Sequence, residues 1–295
     1  SPIEKQTNPK IRRWKRWVAL ASLLVLIIGG ISGLSFGKKA ADKKVDLVYM
    51  NWDSEVASVN VLEQAMKQHG FDVNTTALDN TVAWQTVANG QADGMISAWL
   101  PNTHKTQWQK FGKSVENLGT NLKGAKVGLV VPAYMNVNSI EDLKNQADKK
   151  IIGIEPGAGE MATVEKTMKA YNNLSDWTLV PSSSGAMTVA LGEAIKQHKD
   201  IVVTGWSPHW MFNKYDLKYL EDPKGTMGTE ENINTVVRKD LKKDNPEAYK
   251  VLDQFNWTQK DMEAVMLDIQ NGKSPEEAAN KWIKAHQSQV DQWFK

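Results

Sequence analysis

The sequence contains no cysteine. That excludes disulfides, thiolate metal sites and a cysteine nucleophile. It also excludes a lipid-modified cysteine as a membrane anchor. Histidine is scarce, with five among 295 residues; none has metal-ligand spacing and H-E-x-x-H is absent. There is no G-x-S-x-G elbow and no G-x-x-x-x-G-K-S/T phosphate loop. Gly157-Ala158-Gly159 lacks the third glycine of a dinucleotide fingerprint. These absences leave no cofactor, no metal and no nucleophile–base pair to support an enzyme. Excess basic charge is missing from most of the chain as well. Residues 1–44 hold ten Lys/Arg against two acids, a balance of +8, and the remainder holds 26 against 32, a balance of −6. A mildly acidic globular part argues against nucleic acid as a partner.

One long apolar run is present. Val18 to Phe36 is 19 residues without a charge. At the rise of an α-helix it spans about 28 Å, close to the hydrocarbon thickness of a bilayer. Lys10-Ile11-Arg12-Arg13-Trp14-Lys15-Arg16-Trp17 precedes it, a cationic flank with two interfacial tryptophans. Residues 1–17 are therefore expected to be a cytoplasmic basic flank, 18–36 a transmembrane helix and 37–44 a linker. Six positive residues before the run face four after it, which places the N-terminus inside. A cleavable signal peptide ending near Ser35-Phe36-Gly37 is the competing reading. The Ser-Pro start, without Met, suggests a piece of a longer polypeptide.

Beyond the linker, short apolar runs alternate with helical patterns. Strands are expected at Val45–Met50, Phe71–Ala77, Met95–Ala98, Lys126–Pro132, Ile151–Glu155, Ile201–Thr204 and Thr235–Arg238. Between them lie helices capped by Asp53 or Ser54 and stopped at Gly70, over Thr81–Asn89, over Ser139–Asn145 behind a capping-box pattern, and over Met161–Tyr171. From Asn245 onward the pattern is helical, over Pro246–Phe255, Thr258–Asn271 and Pro275–Trp293. This alternation predicts an α/β fold with mostly parallel sheets. Two such units with a returning helical tail predict a two-lobed clamp, 45–130 and 236–295 forming lobe 1 and 131–235 forming lobe 2.

Three tryptophans sit just past the ends of expected strands: Trp52, Trp99 and Trp206. In open α/β sheets, ligands bind outside the carboxyl ends of strands. A single strand-end tryptophan is readily explained by packing under loops. Three in equivalent places point instead to a shared cleft lined with indole faces. Such faces suit a cation that cannot donate hydrogen bonds, such as a quaternary ammonium, at about 1–2 kcal/mol per desolvated ring. Trp84, Trp108, Trp177, Trp210, Trp257, Trp282 and Trp293 fall in helices or loops and read as packing residues.

A zwitterion also needs an anion site. Pro156-Gly157-Ala158-Gly159-Glu160 opens a helix, so its backbone can approach a ligand and its free N–H groups can face it. Pro181-Ser182-Ser183-Ser184-Gly185 is a second, weaker loop of this kind. His104 and His209, shortly after Trp99 and Trp206, are both candidate carboxylate donors or loop braces, and spacing does not separate them. Asp53 and Glu55 read as helix-start residues favouring its positive end.

The segments Tyr49–Glu55, Ser97–His104, Gly153–Gly159 and Gly205–Phe212 resemble glycine betaine-binding proteins of the OpuA-type ABC importers. The likeness runs over nearly all of residues 45–295. It implies the two-lobed periplasmic-binding (Venus flytrap) fold and capture of glycine betaine, with proline betaine, for a permease and its ATP-binding subunits. It implies that Trp52, Trp99 and Trp206 form an aromatic prism around the trimethylammonium group. His104, chosen over His209, and the backbone amides of Gly159 and Glu160 would meet the carboxylate. Some members fuse this domain to the permease, which would make Val18–Phe36 a permease or scaffold helix at the cell membrane, with the binding domain on the extracytoplasmic side. A choline binder and a membrane-anchored betaine sensor are the alternatives.

Overall fold

The computed structural model describes residues 43–295. The basic flank, the Val18–Phe36 run and most of the linker lie outside the described residues. Among the described residues, no helix is long and apolar enough to cross a membrane.

The chain opens with β1 (Lys44–Tyr49), α1 (Asp53–Gln68), β2 (Asp72–Ala77), α2 (Asn80–Ala88), β3 (Gly94–Leu100), α3 (Lys105–Phe111) and β4 (Val115–Pro132). β1 pairs parallel with β2 and β3. The second part holds β5 (Lys150–Ile152), α4 (Gly159–Ala170), β6 (Thr178–Val180), α5 (Ser184–Lys196), β7 (Val202–Ser207), α6 (Met211–Lys214), β8 (Leu217–Tyr219) and β9 (Glu231–Arg238). Here β5 pairs parallel with β6 and β7. The tail is helical: α7 (Leu241–Asp244), α8 (Pro246–Gln254), α9 (Gln259–Gln270), α10 (Pro275–Ala285) and α11 (Gln287–Gln292). The expected helix over Pro275–Trp293 is thus two helices, broken at His286. The expected helix at Ser139 is one 3-10 turn, Ile140–Asp142, and its capping box is formed.

The strands run in the order β2-β1-β3-β9-β4-β7-β5-β6, with β8 beside β4. β4 belongs to both halves of this α/β fold. Its residues 115–125 pair antiparallel with β9, and 126–130 pair antiparallel with β7. β9 lies wholly in the first half from Glu231. Ladder pairing therefore changes partner within β4 between Ala125 and Lys126. The front of β4 is polar and interrupted by Gly119 and Gly124, at φ +95° and +84°. The register shifts around both. Such bulges bend and twist a strand, and here one strand pairs with β9 along its front and with β7 further on.

Both faces of the first half are covered. α1 buries Val59, Leu62, Ala65 and Met66 and packs against α9 and α10. It stops at Gly70, φ +83°, a conformation cheap only for glycine. The opposite face buries Trp84, Val87, Met95 and Phe111 under α2 and α3. In the second half the cores of β4 and β7 are buried on both sides, and Leu129, Val130, Val202 and Val203 are fully enclosed. Such continuous apolar runs are expected of strands covered on both faces.

Candidate functional site

The strand ends meet at a cavity between the two halves. Trp52, Trp99 and Trp206 all line it, together with Glu55, Thr103 and Glu160. Trp99 and Trp206 stand one residue before the ends of β3 and β7, rather than past them. Trp52 follows β1 and is the N-cap of α1. Trp99 and Trp206 are buried, and Trp52 is half-buried.

Each indole N–H has a different fate. Trp99 Nε1 donates to Glu55 Oε1 at 2.7 Å. Trp52 Nε1 donates to Glu155 Oε2 at 3.1 Å. Trp206 Nε1 has no partner among the described residues. A carboxylate accepting from an indole fixes the ring plane and makes its face more negative, which favours a cation above it.

Glu55 sits on the buried stripe of α1 and also accepts from Ser54 Oγ. Burial pushes its carboxyl up to about 7, against the pull of its Ser54 and Trp99 hydrogen bonds. Its role is therefore more than that of the helix-start residue expected from its position. The sequence does hold a signal: Glu55, Val59, Leu62 and Met66 share one helical face, so an acid occupies an otherwise apolar stripe. Asp53 provides no cap either. The N-cap has no side-chain hydrogen bond, and Asp53 Oδ2 instead accepts from Trp210 Nε1 at 2.7 Å. Trp210 therefore does more than pack.

His104 is fully buried beside the cavity and is not among the side chains that line it. Its Nδ1 accepts from the Trp99 backbone N–H at 3.0 Å. That bond requires the proton on Nε2, which has no partner among the described residues. The ring lies 6.2 Å from the Trp52 ring and edge-on to Trp84 at 5.9 Å. Burial drives its pKa down to about 3, so His104 is a neutral imidazole with one unused donor. His209 is equally buried, but its Nε2 lies 3.4 Å from Asp53 Oδ2 and its Nδ1 accepts from the Met211 amide. His209 Nε2 likewise has no hydrogen bond of good geometry among the described residues, but the Asp53 carboxylate already lies beside it.

Gly159 and Glu160 are the first two residues of α4, and neither amide has an acceptor among the described residues. Unpaired N–H groups at a helix start form an anion cradle. The Glu160 side chain turns inward and is buried, with no hydrogen-bond partner of good geometry for its carboxyl. Burial, with the Glu231 charge, raises its pKa well above the carboxylate range despite the nearby Gly128 amide. The second candidate loop is already filled: Glu155 Oε1 accepts from Ser184 N at 3.1 Å and Ser184 Oγ at 3.3 Å. Among the described residues no group of His, Asp and Glu could hold a metal.

Residues 43–285 match the family described as the substrate binding domain of ABC-type glycine betaine transport systems. A glycine betaine/carnitine transport binding protein of Listeria monocytogenes is 51% identical over 154 residues, 52% of this chain and about half, 51%, of that protein's length. The lactococcal OpuAC crystal structure, closed and complexed with glycine betaine, is 84% identical, with TM-score 0.85, over 86% of this chain and 100% of that one. A glycine/betaine/L-proline-binding protein from Borrelia burgdorferi is 32% identical, with TM-score 0.83, over 86% of this chain and 97% of that one.

Proposed function

The chain belongs to the substrate-binding domains of ABC-type glycine betaine transport systems, and from that premise we propose that its cavity captures glycine betaine, and proline betaine with it. It does so outside the membrane, for ATP-driven uptake in osmoprotection, and carries out no chemical step of its own. The observation that carries this reading is the meeting of Trp52, Trp99 and Trp206 at one cavity. Three indole faces attract a quaternary ammonium while offering it nothing that demands a hydrogen-bond donor. Two further groups favour a ligand that also bears a carboxylate: the free amides of Gly159 and Glu160, and the unused Nε2–H of neutral His104.

In this reading Trp52, Trp99 and His104 approach from the first half, and Trp206, Gly159 and Glu160 from the second. Ligand bridges the halves and favours the closed clamp through contacts available only there. The 19-residue uncharged run Val18–Phe36 would tether the domain to the cell membrane beside its permease. Calorimetry of the full chain in detergent tests the ligand assignment. Glycine betaine and proline betaine should bind at least tenfold more tightly than choline, which lacks the carboxylate. No heat with glycine betaine, or tighter binding of choline, would overturn it.

A further inference from the structure

Trp52 and Asp53 are consecutive in the chain, and both bridge the cleft. Trp52 donates its indole N–H across it to Glu155, on the loop after β5. Asp53 accepts the indole N–H of Trp210, on the loop after β7. The two bonds therefore run in opposite directions between the same two halves. We propose that Asp53 and Glu155 are positioning residues that latch the cleft shut over its ligand and set how long that ligand stays. The proposal rests on the reading that ligand occupies the tryptophan cavity.

Each carboxylate is fixed from behind. Glu155 spends its other oxygen on the amide and hydroxyl of Ser184 at the start of α5. The His209 Nε2 lies 3.4 Å from the same Asp53 oxygen that Trp210 uses. Burial pushes the Asp53 carboxyl up, but His209 and Trp210 outweigh it and hold the group below its ordinary range. His209 in turn stands edge-on to the Trp206 ring at 4.7 Å, so this latch also braces one wall of the cavity. Trp52 is the other wall that matters. It lines the tryptophan cavity and also a wider neighbouring cleft with Asn51, Leu78, Glu155 and Gly157. A ligand leaving toward that cleft must pass Trp52, and Glu155 is what holds Trp52 in place. Neither bond joins residues within one half, so losing Asp53–Trp210 should loosen closure alone, while Glu155 also ties the start of α5 within its own half.

Tryptophan fluorescence in a stopped-flow instrument, with glycine betaine as the probe, measures this in the full chain. Asp53→Ala and Glu155→Ala should each release ligand about ten- to a hundredfold faster, the range for a hydrogen bond to a charged group. Association rates should stay within about threefold, since latches act on dissociation. Asp53→Asn keeps the one acceptor oxygen that Trp210 needs and should recover most of the loss, whereas Glu155→Gln can accept from Trp52 or from Ser184 but not both and should recover part. Trp210→Phe keeps an aromatic six-membered ring but removes the N–H together with the five-membered ring, so it should speed release at least as much as Asp53→Ala, even if the alanine variant melts early. Unchanged dissociation in Glu155→Ala and Trp210→Phe would overturn the latch. Failure of the wild-type chain to bind glycine betaine would instead overturn the ligand reading.

Discussion

Gly159 faces Thr103 across the cleft so closely that a Cβ on Gly159 would lie 2.2 Å from the Thr103 carbonyl oxygen. Gly159 begins α4 in the second half, and Thr103 follows β3 in the first. The requirement for glycine here comes from the approach of two backbones, because Gly159 does not have the positive φ seen at Gly70 or Gly119. A clash at this point is felt only when the halves come together.

Gly159→Ala should therefore lower glycine betaine affinity by more than tenfold, about 1.4 kcal/mol, while the melting temperature of the ligand-free chain stays within a few degrees. Calorimetry and thermal denaturation on the same preparation check both parts. Full affinity in the variant would show that the closed contact is not needed for capture.

Trp206→Ala removes a buried ring whose indole nitrogen has no partner among the described residues. Its loss should weaken glycine betaine binding at least tenfold, the value of one desolvated indole face. Unchanged affinity in a folded variant would remove Trp206 from the cage.

His104→Ala should weaken glycine betaine binding more than choline binding, because only the former has a carboxylate for Nε2–H. Since burial drives the ring's pKa down to about 3, this donor is neutral well below the ordinary histidine range. The His104 contribution should accordingly show no titration near the ordinary histidine value of about 6.5. Equal losses for both ligands would mark His104 as a brace for the Trp99 amide alone.

Glu55 couples stability to pH. Its carboxyl is raised from 4.5 to about 7, chiefly by burial. Below the lower value, folded and unfolded chains both hold the proton. Between the two values the folded chain keeps it and the unfolded chain releases it, so stability falls as pH rises through this window. Glu55→Gln has no proton to lose and still offers Trp99 an acceptor oxygen. In denaturant titrations of ligand-free protein, wild type should lose stability relative to this variant between pH near 4.5 and pH near 7, by a few kcal/mol in order of magnitude. Parallel pH profiles would refute a buried, proton-holding Glu55.

Much of the molecule is legible in the chain because its signals are local. Apolar runs predict most of the strands, and Gly70 and Gly90 stop α1 and α2 with positive φ. Capping boxes at Ser139, Thr258 and Ser274 are formed as their residue types allow. The front of β4 is not legible in this way. It is polar and glycine-interrupted, and only pairing with β9 makes it a strand.

Periodicity and turn chemistry act over a few residues. They suffice to read off the α/β alternation, the three strand-end tryptophans and the glycine loop that opens α4. What the tryptophans of the cleft touch depends on the assembled fold. Trp99 meets an acid 44 positions away, Trp52 one 103 away, and Trp210 one 157 away. No local pattern encodes such pairs. They form where folding brings an indole N–H and a carboxylate within reach, since pairing offsets the cost of taking both out of water.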